Sequence, residues 1–251
     1  MPFHVADIAF AELFLVGIVA FLSSILGGVS GYGVGLILPV FLAPVVGVAA
    51  VVPVMSVAMA ITNLSRAVVF RRDVALWASG AILALGVPCA LLSAVAYTFM
   101  SPRVIAVFVG GFLVLSIPTR RILERQQFRI GGKGMVAVGA AYGLLSGGMV
   151  GIGGLLLISS LMSAGMRGAG LVGTDASVSV IINLVKSAVF GKAALLDVEL
   201  VLFGLMIGLC TVPGAVVARW LLKKIPLRIH TAFMDLLVVA GGVSFVVQGF
   251  V

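Results

Sequence analysis

Asp175, Ser179, Asn183, Lys186 and Phe190 follow one another at steps of 4, 4, 3 and 4 residues inside an otherwise apolar stretch. Residues three or four apart share one face of a helix, so these side chains form a single stripe. A hydroxyl and a carboxamide on such a stripe can hydrogen-bond a solute, while a neighbouring ammonium raises the local positive potential. The spacing recurs earlier in the chain as Met55, Met59, Asn63, Arg66 and Phe70, with the asparagine, the cation and the phenylalanine in the same order. Each feature also has a plainer reading. Asparagines inside apolar runs can serve as hydrogen-bonded glue between helices. Arg66 and Lys186, nearer the ends of their runs, can extend their charges to the membrane surface as anchors. Asp175 has Met55 as its counterpart. It is either a group that couples transport to a proton or cation, or the partner of Lys186 or Arg167.

Composition fixes the medium in which these stripes lie. Of 251 residues, 62% are hydrophobic and 10% charged, where soluble domains carry about a quarter charged residues. Mean hydropathy is +1.32, and the apolar stretches are spread over the whole chain, so they read as spans rather than one buried core. A net charge of +8 would suggest nucleic acid in a soluble protein. Here the cations cluster between apolar runs, as membrane orientation requires, and nucleic acid is not an expected partner. Only His4, Asp7 and Glu12 are ionisable near the N-terminus, so that stretch lacks the basic region of a signal peptide. Cys89 and Cys210 each sit in an apolar run and read as packing residues. No cofactor or metal site is expected, since no run carries the carboxylate cluster a hard divalent cation prefers.

Apolar runs cover about 8–29, 33–46, 48–70, 74–99 and 103–118, then 134–149, 152–165, 169–191, 198–222 and 229–250. Between the two sets lies "TRRILERQQFRIGGKG", with Arg120, Arg121, Arg125, Arg129 and Lys133 against one Glu124. Lipid leaves helices as the way to pair the backbone of such runs. The runs starting near 33 and 152 are too short to span and read as half-helices or re-entrant segments.

The two sets are copies of one another. "GGVSGYGVGLILPVFL" at 27–42 aligns with "GGMVGIGGLLLISSLM" at 147–162, and the offset from Gly27 to Gly147 and from Asn63 to Asn183 is 120 in both cases. "VP" recurs at 87–88 and 212–213 after a small insertion. The expected fold is therefore an all-α polytopic membrane protein of two homologous repeats, each of four to five helical segments. Residues 1–118 form the first repeat, 119–133 a basic cytoplasmic linker and 134–251 the second. If each glycine-broken unit goes in and returns, the cations at 219–228 join Arg71, Arg72 and the linker on the cytoplasmic side. The repeats are then inverted, with Lys192 stranded outside. Repeats meeting at a midplane site suggest a secondary transporter.

At each repeat's first break sits a glycine cluster: Gly27, Gly28, Gly31, Gly33 and Gly35, then Gly147, Gly148, Gly151, Gly153 and Gly154. A break there exposes N–H groups at the start of a half-helix, which attract anions. Tight helix packing is the simpler use of the same glycines.

These two turns, Pro39 after the first, Gly173–Thr174 and the duplicated layout resemble the TauE/SafE family, the sulfite-exporter-type or toluene sulfonate uptake permeases. The resemblance runs from about residue 12 to 250. It implies an inner-membrane transporter of small sulfur-containing anions such as sulfite, sulfoacetate or other sulfonates. Some positions depart from the family pattern: Tyr32 and Val34 dilute the first glycine run, Ser159 replaces the proline seen as Pro39, and Asp175 stands where serine is more typical.

The expected mechanism is alternating access without enzymatic chemistry. Gly31, Gly33, Gly151 and Gly153 would supply backbone donors to the anion. Asn63, Asn183 and Thr174 would add hydrogen bonds, Arg66 and Lys186 positive potential, and Asp175 the coupling function. The alternative is a cation- or proton-handling permease that uses Asp175 and the asparagines. A protease reading of "GVSG" at 28–31 needs a histidine base near Ser30. Only His4 and His230 exist, both near run ends, and the duplicate of Ser30 is Val150.

Overall fold

The computed structural model describes residues 10–30, 33–125, 131–148 and 152–221, with Val239, Val243 and Val247 beyond them. The described residues form nine helices: α1 (Phe10–Ser30), α2 (Gly33–Val46), α3 (Val48–Val69), α4 (Leu76–Thr98), α5 (Pro102–Arg125), α6 (Gly132–Gly147), α7 (Ile152–Ser163), α8 (Gly168–Lys192) and α9 (Val198–Leu221). Three of them, α3, α4 and α8, are long and apolar enough to cross a membrane. The expected run at 229–250, the cations Lys223, Lys224 and Arg228, and His4 and His230 lie outside the described residues, apart from the three valines named above.

The expected breaks fall partly outside the described residues. α1 is described to Ser30 and α2 from Gly33, with residues 31–32 outside the description; α6 ends at Gly147, and α7 is described from Ile152. Gly27 and Gly28 belong to α1 itself, so the start of the first glycine cluster is helical. α2 and α7 are short, with 14 and 12 residues. At about 1.5 Å rise per residue neither reaches across a hydrocarbon core of about 30 Å. Gly47 alone joins α2 to α3, at φ 77°, a left-handed conformation that glycine adopts without a steric penalty. The basic segment is partly helical, because α5 carries on through Arg120, Arg121 and Arg125.

Helix directions follow from which residues meet. α3 and α8 run antiparallel: Ser56 bonds Ser187 at 2.8 Å, and Arg66 meets Asp175 nearer the other end of the crossing. α4 and α6 run parallel, Gly139 lying against Ile82, Gly143 against Gly86 and Ala90, and Gly147 against Ala90 and Ala94. A Cβ at Gly139 or Gly143 would collide with the α4 backbone. This is the small-residue packing that lets two membrane helices come close. α1 and α9 are also parallel, with Gly17 beside Cys210 and Gly214 against Phe21 and Ser24. α3 runs with α9, through Gly204 on Val54 and Val57 and Gly208 on Ala58 and Ile61. α4 runs with α8, since Thr174 meets Ala75 and Ile182 approaches Gly86. Exchanging α1 with α6, α3 with α8 and α4 with α9 maps these pairings onto themselves.

The directions sort the charges between two ends of the bundle. The end where α3 finishes and α4, α6 and α8 begin carries Arg71, Arg72, Lys133 and Arg167, and α5 brings Arg120, Arg121 and Arg125 to it. The opposite end holds Arg103 and Lys192 with Glu12, Asp197 and Glu199. Arg103 thus joins Lys192 there, because three residues separate α4 from α5 and the new helix starts where the old one stops.

Polarity is arranged inside out relative to a soluble protein. Leu22, Leu91, Leu92, Leu202 and Leu209 are exposed, whereas Ser24, Thr62, Asn63, Thr174, Asp175, Asn183 and Lys186 are buried. Two apolar clusters flank this polar interior. One gathers Val51, Met55, Phe190, Leu200 and Phe203 around α3 and α9. The other gathers Ile82, Met135, Leu157 and Ile182 around α4, α6, α7 and α8.

Candidate functional site

The two polar stripes face each other where α3 crosses α8. On the basic side of that crossing Arg66 Nη1 points to Asn63 Oδ1 at 3.4 Å, and Arg66 Nη2 stands 3.6 Å from Asp175 Oδ2. Asn63 is 2% exposed; of the ion pair, the arginine side chain is 20% exposed and the aspartate 4%. Asp175 therefore meets Arg66, a partner from the first half of the chain, where the sequence offered Lys186 or Arg167. The antiparallel crossing explains this, since it brings the first turns of α8 beside the last turns of α3.

Those first turns of α8 also hold the loop after α3. Thr174 Oγ1 accepts a hydrogen bond from the Ala75 N–H at 3.0 Å, at the start of α4. A Cβ at Gly173 would stand 2.9 Å from the Phe70 carbonyl oxygen, and one at Gly170 3.3 Å from that of Asp73. Together with Asp175, these three residues of one helix hold the end of α3 and the turn that follows it.

Asn183 and Lys186 lie towards the other side of the crossing. Asn183 Nδ2 donates to the Ser179 carbonyl of its own helix at 2.8 Å, leaving its Oδ1 as an acceptor. Lys186 is 3% exposed, so it is held inside the protein and does not extend to the membrane surface as an anchor. α8 continues to Lys192, which places Lys186 well before the helix end. The structure thus brings Asn63, Arg66 and Asp175 together with Thr174 beside them, and places Asn183 and Lys186 further along α8.

The glycine expectations fare unevenly. Gly31 and Gly151 lie outside the described residues. Gly33 opens α2. Gly153 sits near the start of α7, where an added Cβ would collide with Ser146 Oγ and approach Tyr142 at 3.1 Å. Close packing of α7 on α6 accounts for that glycine. Beside the second break lies a cavity of about 80 Å³, lined by Ser93, Tyr97, Met100, Phe108, Leu144 and Gly148 among others. Its wall is mostly apolar, and it is separate from the Arg66 cluster.

Other polar contacts had not been anticipated. Thr62 and Thr211 hydroxyls meet at 2.6 Å, Ser24 donates to the Thr211 carbonyl at 2.5 Å, and Tyr142 meets Ser179 at 3.0 Å. Thr211 is the sole hydroxyl-bearing residue of α9, which was the available signal. Ser23 and Ser79 Oγ are buried without a hydrogen-bond partner among the described residues.

A bundle of apolar helices with an ion pair, carboxamides and hydroxyls in its interior defines a polytopic membrane protein with a polar centre. The model of the family described as sulfite exporter TauE/SafE matches residues 16–245, and the chain belongs to that family. Searches of curated proteins and of solved structures returned no significant match.

Proposed function

We propose that the protein is a secondary transporter of the bacterial inner membrane that moves a small sulfur-containing anion, such as sulfite, sulfoacetate or another sulfonate, by alternating access. The observation that carries this reading is the Asn63–Arg66–Asp175 cluster, a half-buried arginine between a buried asparagine and a buried aspartate, at the crossing of two antiparallel helices. A cation inside the membrane is costly and marks a site of function. The family's description as sulfite exporters supports the substrate class.

The antiparallel course of α3 and α8, together with pairings that survive exchange of the halves, supports inverted repeats meeting at the midplane. Concentration of the cations at the end bearing Arg71, Arg72, Lys133 and Arg167 supports a cytoplasmic location for that end, linker included. Asn63, Asn183 and Thr174 would hydrogen-bond the anion, Arg66 and Lys186 would attract it, and the amides at Gly31, Gly33, Gly151 and Gly153 would add donors. Against the alternative of a cation-handling permease, Asp175 already faces a guanidinium.

The test is flux in proteoliposomes. Labelled sulfite and sulfonates are expected to cross while divalent cations do not, and Asn63→Ala should weaken apparent sulfite affinity. Cation flux without anion flux would overturn the reading.

A further inference from the structure

The crossing of α3 and α8 has two corners related by the offset of 120 residues, and they differ. At the basic end Arg66 meets Asp175, Thr174 receives the Ala75 N–H and Gly173 lies tight against Phe70. At the other end the matching positions are Lys186, Met55, Val54 and Pro53. There Met55 and Phe190 belong to an apolar cluster with Leu196 and Leu200, and the Phe190 ring lies 5.3 Å from that of Tyr97. One corner carries an ion pair between the helices, and at the other the position of the aspartate is taken by Met55, packed among apolar side chains.

The charged closure is loose. At 3.6 Å the Arg66–Asp175 contact is outside hydrogen-bond range, and the Asn63 contact at 3.4 Å is beyond the usual distance. A guanidinium offers five N–H donors in a fork that fits a carboxylate or another oxyanion equally well. Arg66 is more exposed than Asp175, so its donors are the part of the pair an incoming solute can reach.

Resting on the anion-transport reading above, we infer that Asp175 is a resident counter-ion of Arg66 that a sulfur oxyanion replaces, so that binding of the anion removes the electrostatic tie between α8 and the end of α3. While the carboxylate occupies Arg66, the anion binds only the released fraction. Its apparent affinity is lowered by that fraction. With the anion on Arg66, α8 and the end of α3 are joined only by the Thr174 bond and close packing, whereas the corner at Met55 is untouched.

The experiment measures sulfite binding by calorimetry on the full chain in nanodiscs. Asp175→Asn should bind sulfite about tenfold more tightly than the parent, as a site freed of a competitor present nine-tenths of the time. Arg66→Gln, and the charge-neutral pair Arg66→Gln with Asp175→Asn, should lose binding. If Asp175→Asn does not fold, Asp175→Ser also removes the carboxylate and is judged by the same outcome. Unchanged or weaker binding in the Asp175 variant, with loss in Arg66→Gln, overturns the counter-ion role while leaving an anion site at Arg66. Retained binding in Arg66→Gln overturns the inference but not transport of the anion. Absence of sulfite binding and flux in the parent overturns both.

Discussion

The hydroxyls of Ser56 and Ser187 stand 2.8 Å apart where α3 and α8 meet, and each also donates within its own helix, Ser56 to Pro53 at 2.6 Å and Ser187 to Asn183 at 2.9 Å. Each hydroxyl has one proton, so two of these three bonds exist at a time and not all three. Ser56→Ala and Ser187→Ala should each cost about 0.6 kcal/mol, the usual scale for such contacts between membrane helices. In thermal unfolding the double variant should lose less than the sum of the two. Full additivity would mean that the two hydroxyls do not act together.

The α4–α6 contact leaves no room for side chains. Gly139→Ala should destabilise the protein by about 1–3 kcal/mol, because its new methyl meets the Ile82 backbone and the helices must separate. Gly80→Ala is the matched control: nothing lies within 4 Å of its Cβ position, and a helix gains about 1 kcal/mol from that exchange. The two melting temperatures should move in opposite directions. A common direction would contradict the close approach.

Thr174 supplies the acceptor for the first amide of α4. Thr174→Val keeps the shape and removes the oxygen, leaving a half-buried N–H without its acceptor at a cost of about 1 kcal/mol. Thr174→Ser should keep most of the stability. Equal stability of the serine and valine variants would show that the bond contributes little.

Sidedness can be read by labelling. With Cys89 and Cys210 replaced by serine, Arg72→Cys and Lys133→Cys should be shielded from an impermeant maleimide in intact cells, and Lys192→Cys should react. Reaction at Arg72→Cys would place the basic end outside and reverse the assignment.

Asn63 and Asn183 should not be equivalent, despite matching positions. Asn183 spends its amide on the Ser179 carbonyl, whereas the Asn63 oxygen faces Arg66. Asn63→Ala should therefore raise the half-saturating sulfite concentration in flux assays more than Asn183→Ala. The reverse order would move the anion towards Lys186.

Much of the helical plan was legible in the sequence. The apolar runs fall within a few residues of the nine described helices, because apolar length is the dominant signal in lipid. The end of α6 at Gly147 was visible from its glycines. Pairing was harder to read. Arg66 and Asp175 lie in different halves of the chain, and only the antiparallel crossing, which no local pattern encodes, brings them together. Lys186 was open to two readings from its position alone, since run length says where a helix is but not which of its faces is covered. The Gly139–Gly143–Gly147 row was present in the sequence, yet its partner on α4 is chosen by the three-dimensional arrangement.

The unlike corners at Asp175 and Met55 have a consequence for how such a machine arises. Two separate, identical subunits would be obliged to put the same side chain at both places. On one polypeptide the two positions are free to differ, so one end of the crossing can hold an electrostatic bolt while its counterpart is sealed by grease.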